Sequence, residues 1–512
     1  MASSQEKKKK TSQALDALPA EILVEICRHL VRPMQSRPHG HGPSMKPATE
    51  DALACRAALA RLMRTCRNLH DAAGCVLYSG YYQLWHPSDA YRFLGTLDPH
   101  RNEPYHAGPY ARHLSPDDTR RRLVRHVDVH GNVDRRTLSG APWTKEQAAM
   151  ARRARVEEMA AAVGMPFPKG WDGPRPEGEE DPRDHAAEHV NQLLLRHLSE
   201  LTSLKITLVF NWTFDVLEKW IAEQEDGGAS SPFRNLRHLK IHLRSVQARS
   251  FNCLKLVMGN APYLSTLEIY DTVSYRPPQH CRLEALRDLS LVKSSMDRGT
   301  MKVTLQAAPN ITRFEYRHSA RGLPADKQPP LTPQMLCHLL SNEYELTLPP
   351  PLNGRGQLVK AALPDLHRQL RTLVVDFPVY EGRKPWGDGE TIRSLQHFMR
   401  LRHLSINTNS IACETAARGK HARTITSLEA MIPPALEHLE ITRVGASLPE
   451  LARTSLPSLA SAVREGRFER LERISLTGCP GSRDTMLDVQ ATLQTMFGGQ
   501  RRPGIWVTGH TE

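Results

Sequence analysis

The sequence predicts an α/β chain: a small all-α segment at the N-terminus, followed by a curved solenoid of repeated strand-and-connection units. Three observations predict it. A six-residue apolar pattern, L-x-x-L-x-L with conservative apolar swaps, returns nine times between Leu201 and Leu476. An amphipathic stripe, "LPAEILVEICRHL" (Leu18–Leu30), stands well ahead of that array. The stretches between repeats carry helix-compatible apolar spacing, as in "HAAEHVNQLLLRHLSE" before Leu201 and "TIRSLQHFMR" before Leu401.

In chain order, residues 1–13 form a basic tail whose Lys7–Lys10 run reads as disordered and solvated. Residues 14–85 carry the all-α segment. Pro19 sits at a helix start, where its missing N–H costs nothing, and Glu21 falls in the first turn, where the helix dipole favours negative charge. Ile22, Leu23, Ile26 and Leu30 recur at helical spacing and form a broad apolar stripe. An insertion, "RPMQSRPHGHGPSMKPATED" (32–51), interrupts the segment. A second amphipathic stretch follows with Leu59, Leu62, Met63, Cys66 and Leu69, and continues apolar from Val76 to Tyr82. Two or three helices in about 70 residues are few for a core of their own, so a stripe this broad predicts a partner surface.

Residues 86–185 read as a connecting region. It holds a weak copy of the repeat, "VRHVDV" from Val124, and a charged helix with Thr144 and Gln147 placed as a capping box. The loop "PKGWDGPRPEGEEDP" has the composition of a mobile segment. The array proper occupies 186–490. Its copies are "LTSLKI" (Leu201), "LRHLKI" (Leu236), "LSTLEI" (Leu264), "LRDLSL" (Leu286), "ITRFEY" (Ile311), "LRTLVV" (Leu370), "LRHLSI" (Leu401), "LEHLEI" (Leu436) and "LERISL" (Leu471). The last three residues of each copy alternate apolar, polar, apolar, the period of a short strand with one buried face. The first Leu then lies where the chain enters the strand. One unit cannot cover its own apolar edge, so such units stack. Spacings of 35, 28, 22, 25, 59, 31, 35 and 35 residues leave room in the longest gap for another unit around "YELTL" (Tyr344–Leu348). Asn409 and Cys479 stand just past two strands, where a side chain is expected to satisfy turn backbone groups. In the C-terminal stretch 491–512, "GIWVTG" predicts a last strand or cap.

Composition narrows the function classes. The net charge of +13 comes from 68 Lys plus Arg against 55 Asp plus Glu, the basic residues being spread along the chain, with aromatics at 6%, which disfavours a dedicated nucleic-acid surface. Nine cysteines occur singly with no C-x-x-C pair, so no zinc finger or RING-type site is spelled out and a reducing compartment, cytoplasm and/or nucleus, is expected. No run of about 18 apolar residues appears, so no membrane span is expected. "HAAEH" (His185–His189) matches a zinc-peptidase pattern but no third ligand can be named for it, and "HGHG" (39–42), a weak metal binder by type, lies in a Gly/Pro-rich loop that reads as a flexible insertion. With no nucleophile elbow, phosphate loop or dinucleotide turn, no cofactor and no catalytic residue are expected.

The pattern Leu18-Pro19-x-Glu21-Ile22-Leu23-x-x-Ile26-x-x-x-Leu30, with the helix ending "RTCRNLHDAAGCVLY", resembles an F-box. The whole chain resembles F-box proteins with C-terminal divergent leucine-rich repeats, a type common in fungi. The resemblance implies a non-catalytic receptor subunit of a cullin–RING ubiquitin ligase. In such a subunit the F-box holds a Skp-type adaptor, and through it a cullin, while the repeats hold a protein substrate. Its adaptor contact implies Leu18, Pro19, Ile22, Leu23, Ile26 and Leu30, supported by Leu59, Leu62 and Met63. A repeat scaffold outside the ligase, or a basic nucleic-acid-associated repeat protein, are the alternatives.

Overall fold

The computed structural model describes residues 18–35, 54–82 (apart from 56 and 66), 124–130, 156–161, 164–165, 182–208, 214–224, 231–243, 252–272, 281–319, 331–341, 364–378, 389–415, 422–479, 483–498 and 503–509. The lysine run, "HGHG", the Thr144/Gln147 cap, the Pro/Gly/Glu-rich loop and "YELTL" lie outside them. Two compact units emerge, Met1–Leu236 and Arg237–Glu512, both α/β with parallel strands.

In the first unit, helix α1 (Ala20–Gln35) and helix α2 (Arg67–Tyr78) precede three parallel strands, β1 (Gly80–Tyr82), β2 (His126–His130) and β3 (Ser203–Leu208). Two expectations change here. Helix α1 runs four residues into the expected insertion, through Gln35. The apolar run from Val76 is not one helix: α2 stops at Tyr78, and Gly80–Tyr82 become the first rung of the sheet. The Ser79 carbonyl explains the switch, because it accepts the N–H groups of both Arg125 and His126 and so starts the ladder. Helix α3 (Pro182–Arg196) buries Val190, Leu193, Leu194 and Leu195 just before Leu201, as its spacing predicts. Helix α4 (Asp215–Gln224) packs nearby, with the Arg196 guanidinium 3.7 Å over the Trp220 ring.

The second unit carries nine parallel strands among its described residues: β4 (His238–Leu243), β5 (Thr266–Tyr270), β6 (Asp288–Ser294), β7 (Arg313–His318), β8 (Thr372–Asp376), β9 (His403–Asn407), β12 (His438–Thr442), β13 (Arg473–Cys479) and β14 (Gly504–Gly509). A short antiparallel pair, β10 (Ala412–Thr415) and β11 (Ala422–Ile425), lies between β9 and β12. Helices α5 (Asn252–Gly259), α6 (Arg298–Ala307), α7 (Pro333–Ser341), α8 (Leu456–Arg464) and α9 (Arg483–Met496) form part of the connections.

Register follows the repeat residue for residue. Leu239, Leu267, Leu289, Phe314, Leu373, Leu404, Leu439 and Ile474 make one buried row. Ile241, Ile269, Leu291, Tyr316, Val375, Ile406, Ile441 and Leu476 make a second. Each such side chain is worth about 1.5–3 kcal/mol when taken out of water. The first Leu of each copy is buried too, and a tight turn sets it there: Leu236, Leu264, Leu286, Leu401, Leu436 and Leu471 each donate their N–H to the carbonyl three residues back. The next two N–H groups converge on one carbonyl of the preceding rung, as Ser265 and Thr266 do on Arg237, and Glu437 and His438 on Arg402. That double acceptor recurs at Arg125, Ser265, Arg287, Thr312, Arg371 and Glu437, so the weak copy at Val124 is built like the others.

Two local readings change. "TIRSLQHFMR" is not helical. Ile392, Leu395 and Phe398 are buried at a spacing of three, but the Ile392 and Leu395 N–H groups go to the carbonyls of Ser410 and Met431, so no helical ladder forms. The turn asparagine is Asn407, not Asn409. Fully buried, it accepts from Ser410 N–H (3.0 Å) and donates to Asp376 Oδ1 (2.7 Å). At the other turn, the Cys479 side chain lies outside the described residues.

Candidate functional site

The helical pair of the first unit is built around a small core. Pro19 starts α1, and its carbonyl accepts from Ile22 N–H (3.1 Å) and Leu23 N–H (3.2 Å). One row of α1, Leu23 and Cys27, is completely buried against Leu59 and against Leu69, Ala72, Ala73 and Val76. Two alanines in succession on α2 give α1 a small-residue surface to pack on. Burial pushes the Cys27 thiol above its usual range, with Cys75 adding to the shift. The adjacent row of α1 faces out: Ile22 is 49% and Ile26 43% exposed.

The nine residues expected to contact an adaptor therefore divide. Pro19, Ile22 and Ile26 are exposed, and Leu18 is half-buried at the edge of the core. Leu62 and Met63 are partly buried against the core. Leu23 and Leu59 fill it, so they hold the helices together and are not available to a partner. The Leu30 side chain lies outside the described residues. Sequence reasoning missed Cys27 and the Ala72–Ala73 pair; the signal was the spacing of four from Leu23 to Cys27. Glu25 pairs with Arg28 (3.4 Å) and His29 (3.7 Å) on the exposed side, contacts worth about 0–1 kcal/mol.

A second surface is the open strand face of the second unit, made by the residues that alternate with the buried rows. Over β4–β7 its charges satisfy one another. Lys240 Nζ contacts Glu268 (2.8 Å) and donates to the Tyr270 hydroxyl (3.1 Å), which donates to Glu268 (3.1 Å). Burial pulls the Lys240 pKa down, yet Glu268 and Tyr270 leave it raised overall. Further along, Ser290 donates to Glu315 (2.9 Å), which also takes Arg317 (2.7 Å). Over β8–β13 the face opens into a hollow of about 310 Å³ lined by Thr372, His403, Ser405, His438, Glu440 and Arg473 among others. The His403 and His438 rings stand 4.5 Å apart, and Arg473 lies 5.4 Å over the ring of Trp506, itself 55% exposed.

Among the described residues no three His, Cys, Asp or Glu side chains converge to hold a metal. No helix among them is long and apolar enough to cross a membrane. "HAAEH" lies in the first half of α3, where the His185 side chain lies outside the described residues.

No family model matches the chain, and no curated protein matches it. A solved structure of a Bacteroides fragilis protein from a structural genomics consortium is similar at 12% identity and a TM-score of 0.29. The match covers 60% of this chain and 65% of the length of that protein. So low a score carries no argument about fold or function.

Proposed function

We propose that this chain is a substrate-receptor subunit of a cullin–RING ubiquitin ligase, with an F-box at its N-terminus and a curved leucine-rich solenoid as the substrate-holding part. The observation that carries the reading is the split of α1: Leu23 and Cys27 complete a core, and Ile22 and Ile26 remain as an outward apolar pair. Anchors one helical turn apart are what a groove on a partner takes up. The open strand face then offers partly buried polar and charged groups to a protein substrate. The role needs no catalytic residue in this chain, because holding a substrate near a charged conjugating enzyme raises its effective concentration.

Co-purification tests the reading. Recovery of a Skp-type adaptor together with cullin, lost on Ile22→Asp plus Ile26→Asp, is the expected result. Adaptor without cullin favours a scaffold outside the ligase. No adaptor binding by the intact chain at micromolar concentration overturns the proposal.

A further inference from the structure

We propose that the hollow over β8–β13 binds an acidic segment of a protein partner, with Arg473 and the His403–His438 pair holding its carboxylates and Trp506 serving as the apolar anchor beside them. This deepens the receptor reading only in taking the partner to be a protein; adaptor docking plays no part in it.

Charge is the first ground. The β4–β7 half of the face is internally neutralised, through Lys240 with Glu268 and through Glu315 with Arg317 and Arg313. In the hollow the balance differs. Among the described residues Arg473 has no carboxylate partner, and its guanidinium faces the Trp506 ring. His438 meets Glu472 only at 3.9 Å, through a carboxylate 76% exposed to water. Arg402 beside them is already committed to Glu437 at 3.2 Å. Trp and Arg are both among the residue types enriched at the energetic hot spots of protein interfaces.

Register is the second ground. His403, His438 and Arg473 are direct neighbours across β9, β12 and β13. Strands stand about 4.8 Å apart, so this Arg/His row spans about 10 Å, the reach of three residues of extended chain. The next row inward, Ser405, Glu440 and Ser475, is polar with one acid at its centre. An anion is therefore directed to the Arg/His row. Glu440, with Glu437 and Glu472 at the margin, opposes a continuous polyanion, and so selects spaced carboxylates over a nucleic-acid backbone.

His403 makes the site sensitive to pH. Burial holds the His403 imidazole below its ordinary pKa, and His438, Arg402 and Arg313 lower it further, with Glu437 opposing them. Arg473 and Glu440 also line the hollow that holds it. A carboxylate seated there stabilises the imidazolium, so binding takes up a proton and tightens as the pH falls through the range of histidine titration.

The test uses the full chain, a fluorescent glutamate-rich peptide and its glutamine counterpart, with anisotropy read at pH 7.5 and 5.8. The glutamate peptide is expected to bind roughly tenfold more tightly at the lower pH, and the glutamine peptide not to bind. Arg473→Ala should weaken binding at both pH values. His403→Gln plus His438→Gln should leave weak binding with no pH dependence, and circular dichroism reports whether each variant keeps its fold. Equal binding of both peptides, an unchanged pH slope in the histidine double variant, or tighter capture of a single-stranded RNA oligomer each overturns the proposal. Ile22→Asp plus Ile26→Asp leaves peptide binding unchanged, which separates this site from the adaptor reading.

Discussion

Replacing Ile22 and Ile26 together by Ala discriminates most sharply between the two rows of α1. Each substitution removes three carbons, worth about 0.8 kcal/mol per methylene when fully buried. In the free protein Ile22 and Ile26 are 49% and 43% exposed, so somewhat under half of that value is left for a partner to gain. The pair should then cost about 2 kcal/mol of adaptor affinity, roughly thirtyfold in Kd. The buried share, about 1 kcal/mol per site, is lost from folding and partly offset by the higher helix propensity of Ala. Leu23→Ala behaves in the opposite way. It empties a fully buried site and should cost about 2–5 kcal/mol of local stability. Titration calorimetry with a purified Skp-type adaptor reads the first effect, and amide hydrogen exchange of α1 and α2 reads the second. An Ile22→Ala, Ile26→Ala variant that bound the adaptor as tightly as the parent would falsify the assignment of the outward row. Faster exchange in that variant than in Leu23→Ala would refute the packing argument behind it.

Three further outcomes follow from the second unit. Asp271, Lys293, Arg443 and Gly478 share the position seven residues after the first Leu of their repeats, and all have positive φ, from 52° to 73°. Lys293→Gly should therefore stabilise the chain by up to about 1 kcal/mol, and Gly478→Val destabilise it by about 1–2 kcal/mol, as read from denaturant midpoints. Asn407→Asp places a second carboxylate where Asn407 now donates to Asp376. The shared site raises one carboxyl pKa in the folded state, so that variant should regain stability as the pH falls from 7 to 5. Burial pushes the Cys281 thiol up to about 11, so its alkylation at pH 8.5, followed by peptide mass spectrometry, should run at least fiftyfold slower than that of a free thiol.

Much of this architecture is legible in the residues. Every L-x-x-L-x-L copy from Leu201 to Leu471 forms a strand, because the alternation of its last three residues, broken only at Val374, matches the pleat and leaves one face to bury. "GIWVTG" pairs in parallel with β13 as the last rung described. What the pattern conceals are places where backbone groups find distant partners. A spacing of three in Ile392, Leu395 and Phe398 imitates a helix until Ser410 and Met431 claim two of the N–H groups. The buried Asn407 precedes the position that the fuller repeat pattern marks, since the 3-10 turn at Thr408–Ser410 begins one residue earlier.

The same division holds for the surfaces. By itself the sequence determines that α1 is amphipathic, that its start is Pro19, and that strands recur with a fixed register of apolar residues, because all three depend on local spacing. Only the tertiary structure decides which half of the α1 stripe is spent internally. Leu23 and Ile22 are equally apolar neighbours, and the packing of Leu59, Leu69, Ala72, Ala73 and Val76 makes one core and the other surface. Likewise His403, His438 and Arg473 lie 35 residues apart from one to the next along the chain. Parallel stacking at strand spacing makes them one Arg/His row, a juxtaposition that no linear pattern records.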